Sequence, residues 1–434
     1  MTLLGRSVSF NMAGNVGTLA VGFVASIAVA RLLGPADRGV LALVTYAVGI
    51  VLAFAGLGLP YAVLFLASKR EAQRGPLLGN SLAWGGLLAI VFVPAFALLA
   101  APLANAFSKG VGEAAWVVGG VLVPLTFLDW SIHNQLFGKL RFGLLNLLLV
   151  MSRLVSLAAI VVLVGVLDLG VPGALSGSIA AALFMIVSSL AVVLRDVRPQ
   201  VDRALFRRML SYGTRVMTGS IFGIATYRVD LLVLQFYVPL SDVGYYVVAQ
   251  LVAELATTAA SAFQTSLTTL SSRYESDVRQ ADVTVSALRH HGALTALAIC
   301  ANVVVGTLVI LFAYGPEFRP ALVPMLILLP GMWFLANATV VAGDLRGRGS
   351  PGLTSVLGGL TVAVMIALDF ALIPPLGVNG AAIASLLAYT FYGLLSLAAL
   401  SRVVDVSVRT LVVPTRSEVD VYRGLWRRAV GRVF

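Results

Sequence analysis

Arg31, Arg153, Arg215, Arg228, Asp129, His133 and Glu254 stand within, or at the margins of, stretches that are otherwise almost wholly apolar. A charge in such a setting is costly, so it faces a partner, a ligand or a water-filled space. Guanidinium groups there suit an anion, which they bind through paired N–H donors. Asp129, His133 and Glu254 suit the opposite task, and are candidates to bind a coupling proton or cation. Tyr212, Gln250, Asn11 and Asn15 add uncharged hydrogen-bonding groups on the same stretches.

The spacing of these residues is regular. Residues 209–237 carry Tyr212, Arg215, Gly219, Gly223, Thr226 and Asp230 three or four apart, and 241–270 carry Gln250, Glu254, Thr257, Ser261, Gln264 and Thr268 likewise. The first stretch has Ser7, Asn11, Asn15, Thr18, Gly22 and Ser26 in the same pattern. Each set falls on one face of a helix. In a bilayer such a face turns toward protein or water, and packing of small and hydroxyl residues against a neighbouring helix is the alternative use.

Other chemistry has no residues to carry it. There is no Walker A glycine loop for ATP and no Gly-x-Ser-x-Gly elbow. The single cysteine, Cys300, lies in an apolar run, and His133, His290 and His291 have no cysteine partners, so neither a disulfide framework nor a zinc motif is expected. No cofactor and no metal is expected. The outer loops are too short to build an extramembrane catalytic site, so an enzyme is not expected either.

The elements that position these side chains follow from composition. Hydrophobic residues make up 59% of the chain and charged residues 11%, with a mean hydropathy of +0.97. A soluble domain needs about 25% charged residues. Apolar segments fall at 6–33, 39–67, 76–104, 112–137, 141–167, 172–194, 209–237, 241–270, 284–313, 320–342, 351–373 and 376–401. Each spans about 30 Å as a helix, the thickness of the hydrocarbon core. The expected fold is therefore all-α and polytopic, with about twelve transmembrane helices. The small residues Ala28-Val29-Ala30 resemble a signal-peptidase site, but the preceding stretch is too long and contains Asn11 and Asn15, so it reads as an uncleaved first span.

The net charge of +11 does not indicate nucleic acid, because the basic residues sit in short loops between apolar runs. With the N-terminus in the cytoplasm, twenty-three Lys and Arg fall on the inner side, four on the outer (Arg31, Arg38, Lys109 and Arg319) and three within spans. This places both termini in the cytoplasm. Counted from the cytoplasmic ends, Arg228 lies at about 28 Å and Glu254 at about 24 Å, so they can meet. Asp129 at about 14 Å and Arg153 at about 18 Å are a second candidate pair. Arg215, at about 9 Å, has no carboxylate at its level and is best placed to meet an anionic ligand.

The chain also repeats itself. Asp37-Arg38-Gly39 recurs as Asp242-Val243-Gly244, Lys139-Leu140-Arg141 as Arg346-Gly347-Arg348, and Leu169-Gly170-Val171-Pro172-Gly173-Ala174 as Leu376-Gly377-Val378-Asn379-Gly380-Ala381, always about 207 positions on. Six spans per repeat give the halves the same topology. The expected divisions are an N-terminal bundle 1–194, a basic linker 195–208, a C-terminal bundle 209–401 and a basic cytoplasmic tail 402–434. The loop 271–290 reads as an amphipathic surface helix, and the tail as an anchor on anionic lipid.

Asn11…Gly14, then Ala30-Arg31-Leu32-Leu33-Gly34-Pro35-Ala36-Asp37-Arg38-Gly39, the Gly56-Leu57-Gly58 ending of the second span and the Leu-Gly-Val-x-Gly-Ala turns resemble polysaccharide transporters. These are the O-antigen and capsule-type flippases of the multidrug/oligosaccharidyl-lipid/polysaccharide exporter superfamily. The resemblance covers essentially the whole chain. It implies two six-helix bundles around a central cavity that moves undecaprenyl-pyrophosphate-linked oligosaccharide from the inner to the outer leaflet of a bacterial cytoplasmic membrane. Arg31, Arg153, Arg215 and Arg228 are the positions that would meet the pyrophosphate. Glu254 and the aspartates depart from a purely cationic cavity; they would serve a coupling ion or pair the arginines. Lipid II flippases carry two further C-terminal helices, which sets this chain nearer the polysaccharide branch. The partners implied are the lipid-linked oligosaccharide, membrane lipids, and a polysaccharide polymerase with glycosyltransferases; a proton or sodium gradient would drive transport. A cation-coupled exporter of small amphipathic cations and a non-transporting scaffold for polysaccharide synthesis are the other readings.

Overall fold

The computed structural model describes residues 3–68, 74–138, 142–257, 277–348 and 350–413, and among these every regular element is helical. In chain order they are α1 Leu3–Ala55, α2 Leu59–Ser68, α3 Arg74–Leu98, α4 Ala100–Ser108, α5 Glu113–Gly138, α6 Phe142–Ile160 and α7 Gly170–Val193. Then follow α8 Arg203–Tyr237, α9 Leu240–Glu254, α10 Asp277–Leu308, α11 Leu322–Gly347, α12 Pro351–Val404 and the short α13 Val408–Val412. Wide π-type turns, Val161–Val166 and Val309–Tyr314, extend α6 and α10.

Among the described residues eight helices are long and apolar enough to cross a membrane, or nine if the bent α8 is taken as one span. Two are double-length. α1 runs 53 residues and breaks at Gly34 (φ 74°, ψ 177°), just before Pro35. α12 runs 54 residues and breaks at Gly377 (φ 56°), just after Pro374-Pro375. A left-handed φ suits glycine, and the prolines remove the hydrogen bonds that would keep the rod straight. Each arm is about 20 residues or more, enough for one crossing. The helices thus follow the order of the twelve expected segments, with α9 described only for the first part of 241–270.

The repeat has a structural counterpart. Gly170 and Gly377, equivalent positions of the Leu-Gly-Val-x-Gly-Ala motif, share a left-handed backbone, with φ of 54° and 56°. Lys139-Leu140-Arg141 lies outside the described residues.

The loop 271–290 is not a separate surface helix where it is described. Residues 277–290 are the first turns of α10, which continues unbroken to Leu308. Val285 and Leu288 pack there against Val340, Val341, Leu345, Leu400 and Leu411, and that burial outweighs a place at the membrane surface. Most of the tail, from residue 414, lies outside the described residues.

Packing divides the chain into two units, residues 1–247 with 313–318, and residues 248–312 with 319–434. In the first, Val40, Val44 and Val48 of α1 pack with Trp116 and Val123 of α5 and Val171 and Leu175 of α7. A second layer joins Leu59, Val63 and Leu66 of α2 to Phe127 of α5 and Met209 of α8. The stretch 195–202 is docked on α3: a Cβ at Gly75 or Gly79 would overlap the carbonyls of Arg198 and Gln200. Asn80 closes the contact, its Nδ2 donating to Asp202 O (2.9 Å) and its Oδ1 accepting from Asp202 N (3.1 Å). The Asp202 carboxylate caps α8 by accepting from Ala204 N and Leu205 N, the usual task of an N-cap aspartate.

Candidate functional site

In the first unit the polar side chains gather in three places. The first lies around the break in α1. Arg31, exposed, donates from Nε to the carbonyl of Ala313 (2.6 Å). Ser26 bonds the Tyr314 hydroxyl (3.0 Å) and accepts from Arg38 Nη2 (3.3 Å). Half-buried Arg228 of α8 is within electrostatic reach of Arg38 and Tyr46. Asp230, fully buried, accepts from its neighbour's amide, Leu231 N (2.8 Å), and from the Tyr246 hydroxyl. Three arginines, Arg31, Arg38 and Arg228, and one satisfied carboxylate, Asp230, therefore share this cluster, which leaves it cationic.

The second place is on α8 near its start. Arg215 is exposed, and its guanidinium folds back onto Ser211, donating to O (2.8 Å) and Oγ (2.9 Å). Tyr212 stacks on Phe65, the ring centroids 4.3 Å apart and the planes 8° from parallel. Between them Gly213 meets Gly58 backbone to backbone, where a Cβ on either would overlap the other chain. Gly58 permits this by taking a left-handed φ of 63°.

The third place is on α5. Asp129 pairs with His133 one turn later (Nδ1 to Oδ1, 3.2 Å). The expected Asp129–Arg153 pair is not formed; Arg153 is exposed on α6, because the side chain within one helical turn is nearer than the one across the helix interface. Asn134 donates to the Pro60 carbonyl (3.0 Å), tying α5 to the start of α2.

The second unit holds Gln250 and Glu254 of α9, the first fully buried and the second half-buried. Glu254 and Arg228 fall in different units. Ser261, Gln264 and Thr268 lie outside the described residues, and so do the side chains of Asn11 and Asn15. Among the described residues no group of three His, Cys, Asp or Glu side chains could hold a metal ion.

Sequence reasoning missed the cluster around Arg38, Asp230, Tyr246 and Tyr314. Ser26 and Asp230 did lie on polar stripes, but Arg38 counted as a loop residue. Its signal was weak, because its position depends on the break at Gly34.

The comparisons with known proteins bear on this arrangement. The family model described as polysaccharide biosynthesis protein matches residues 28–323. The chain belongs to that family. The succinoglycan biosynthesis transport protein ExoT of Rhizobium meliloti (strain 1021) is 26% identical over 246 residues, 56% of this chain and 48% of that protein. The match therefore spans about half the length of this relative. Among solved structures, the lipid II flippase MurJ in an inward closed conformation superposes with a TM-score of 0.75 at 13% identity, covering 92% of this chain and 88% of that one. An inward-facing multidrug resistance MATE family transporter of the MOP superfamily superposes with a TM-score of 0.70 at 16% identity, covering 89% and 94%. At such identities the likeness is one of fold. With the apolar helices described above, it gives this family member the fold of a multi-pass helical membrane protein, as expected from the sequence.

Proposed function

We propose that this chain is a flippase that carries an undecaprenyl-pyrophosphate-linked oligosaccharide from the cytoplasmic to the outer leaflet of a bacterial cytoplasmic membrane. Transport proceeds by alternating access, for O-antigen, capsule or exopolysaccharide synthesis. The observation that carries this reading is the match to the polysaccharide biosynthesis family over residues 28–323 on a fold that a lipid II flippase also has. The name of the curated relative, a succinoglycan transport protein, points the same way.

In this reading Arg31, Arg38, Arg215 and Arg228 hold the diphosphate in turn as access alternates, since guanidinium groups match phosphate oxygens bidentately. Ser211 holds the Arg215 guanidinium in a fixed direction, which lowers the entropy lost when the anion binds. Tyr212 and Gln250 offer hydrogen bonds to sugars. The driving gradient is of protons or sodium, with Asp129, His133 and Glu254 as coupling groups. The termini are cytoplasmic, and a polymerase and glycosyltransferases are the partners. The chain itself makes and breaks no covalent bond.

The test uses purified protein in liposomes with a fluorescent undecaprenyl-diphosphate oligosaccharide, read by accessibility to a membrane-impermeant quencher. Arg215→Ala and Arg228→Ala are each expected to slow translocation at least about tenfold, the loss of one charge-assisted contact worth about 1.5–3 kcal/mol. A wild-type protein that leaves the labelled lipid in its original leaflet overturns the reading.

A further inference from the structure

Among the described side chains of α10, His291 is the one buried titratable group that the functions above leave unused. It is fully buried inside the second unit, between α10 and α11. Its Nδ1 lies 3.3 Å from Asn337 Oδ1, and its Nε2 lies 3.3 Å from Thr295 Oγ1. Both ring nitrogens are therefore engaged.

The chemistry of these two partners differs. The Asn337 amide donates from Nδ2 to the carbonyl of Trp333 (2.8 Å), and Trp333 is itself fixed by donating from Nε1 to Gly292 O (2.9 Å). With Nδ2 committed, Oδ1 faces His291 as an acceptor, so Nδ1 carries a proton. Thr295 is adaptable: a hydroxyl donates or accepts by rotating about one bond. It donates to Nε2 while the imidazole is neutral, and accepts from Nε2–H once the imidazole is charged. Both protonation states thus keep two hydrogen bonds, with no heavy atom displaced. A histidine kept only for packing needs no such reversible partner.

Two turns toward the start of α10, Thr284 donates to Asp344 Oδ1 (2.7 Å), and Asp344 Oδ2 accepts from Arg348 Nε (2.5 Å). Leu288, Val340 and Val341 fill the space between these two polar rungs. The titratable and charged groups among the described side chains of the packed elements are Asp282, Arg289, His290 and Cys300 of α10, Asp344 and Arg346 of α11 with Arg348 just after it, Asp369, Tyr389, Tyr392 and Arg402 of α12 and Arg409 of α13. Of these, Asp344 is taken up by Thr284 and Arg348, and Arg289 donates to Thr410 O (2.7 Å).

We propose that His291, seated between Asn337 and Thr295, is a proton-binding site within the second unit. The assignment stands apart from what the protein carries.

The experiment is histidine-selective ¹⁵N NMR of the full chain in lipid nanodiscs. The sequence has three histidines, His133, His290 and His291, so His133→Gln, His290→Gln and His291→Gln assign every signal. The expected result is that, as the sample is titrated from neutral to acidic pH, the His291 pair passes from the Nδ1–H neutral tautomer to the doubly protonated form. In Asn337→Leu, which withdraws the acceptor from Nδ1, the charged form is lost from the same titration. A wild-type His291 that holds one neutral tautomer throughout overturns the proposal, whether or not the Asn337 variant folds. Transport of the lipid-linked sugar is not needed for this readout, so its failure and that of the flippase reading are separate.

Discussion

Asp230 shows how a carboxylate persists in an apolar protein. It accepts from the Tyr246 hydroxyl and from Leu231 N while buried completely, and each bond offsets part of the water it gave up. Tyr246→Phe removes one donor and leaves the carboxylate under-satisfied. The expected cost is about 1–3 kcal/mol, read as a lower thermal midpoint of the purified protein in detergent. An unchanged midpoint means that the hydroxyl contributes nothing to holding Asp230. The arginines teach a related lesson. Arg215, read from depth alone as a cation without a carboxylate, is held by Ser211 one turn away. Depth along a helix places a charge in the bilayer, but its partner depends on rotamers that spacing does not encode. Asp129 is the same case, since its bond to His133 was available within its own helix.

At the scale of elements, glycines set how closely helices approach. A Cβ at Gly244 would overlap the carbonyl of Pro35, and one at Gly39 would overlap that of Leu240. The turns at Asp37-Arg38-Gly39 and Asp242-Val243-Gly244, which match in sequence, therefore touch backbone to backbone. Gly49 in the second arm of α1 has open space around it. Gly244→Ala is expected to lower stability by about 1–3 kcal/mol through forced separation. Gly49→Ala is expected to be neutral, or to raise stability by up to about 1 kcal/mol through helix propensity. Paired thermal melts of the two variants check this; equal effects would show that the contact does not bear load. The breaks in α1 and α12 were legible as Gly-Pro and Pro-Pro punctuation between apolar runs. The extent of α10 was not, because charge-rich residues 277–290 read alike in a surface helix and in the first turns of a span. Packing of Leu288 on Val340 and Val341 decides between them.

For the whole molecule, the order of spans was legible because a bilayer imposes a length on every apolar run. Which side each loop faces is our proposal from the arginine distribution, and it has a direct test. In a Cys300→Ala background, Glu113→Cys and Arg195→Cys place thiols at two exposed positions at opposite ends of spans. A membrane-impermeant maleimide added to intact spheroplasts is expected to label the first and spare the second; the reverse pattern would invert the topology. The site was less legible than the fold. Its cluster around Arg38 and Asp230 is assembled from α1, α8, α9 and the turn at Ala313–Tyr314, and no single segment carries its pattern.

The docked stretch 195–202 has a consequence for biogenesis. Its anchor is Asn80 on α3, with Gly75 and Gly79 making the seat, and those residues leave the ribosome more than a hundred positions before Asp202 does. Asp202 is at once held by Asn80 of α3 and the cap of α8. The start of α8 is therefore seated on residues that are synthesised well before it, which fixes where that helix begins.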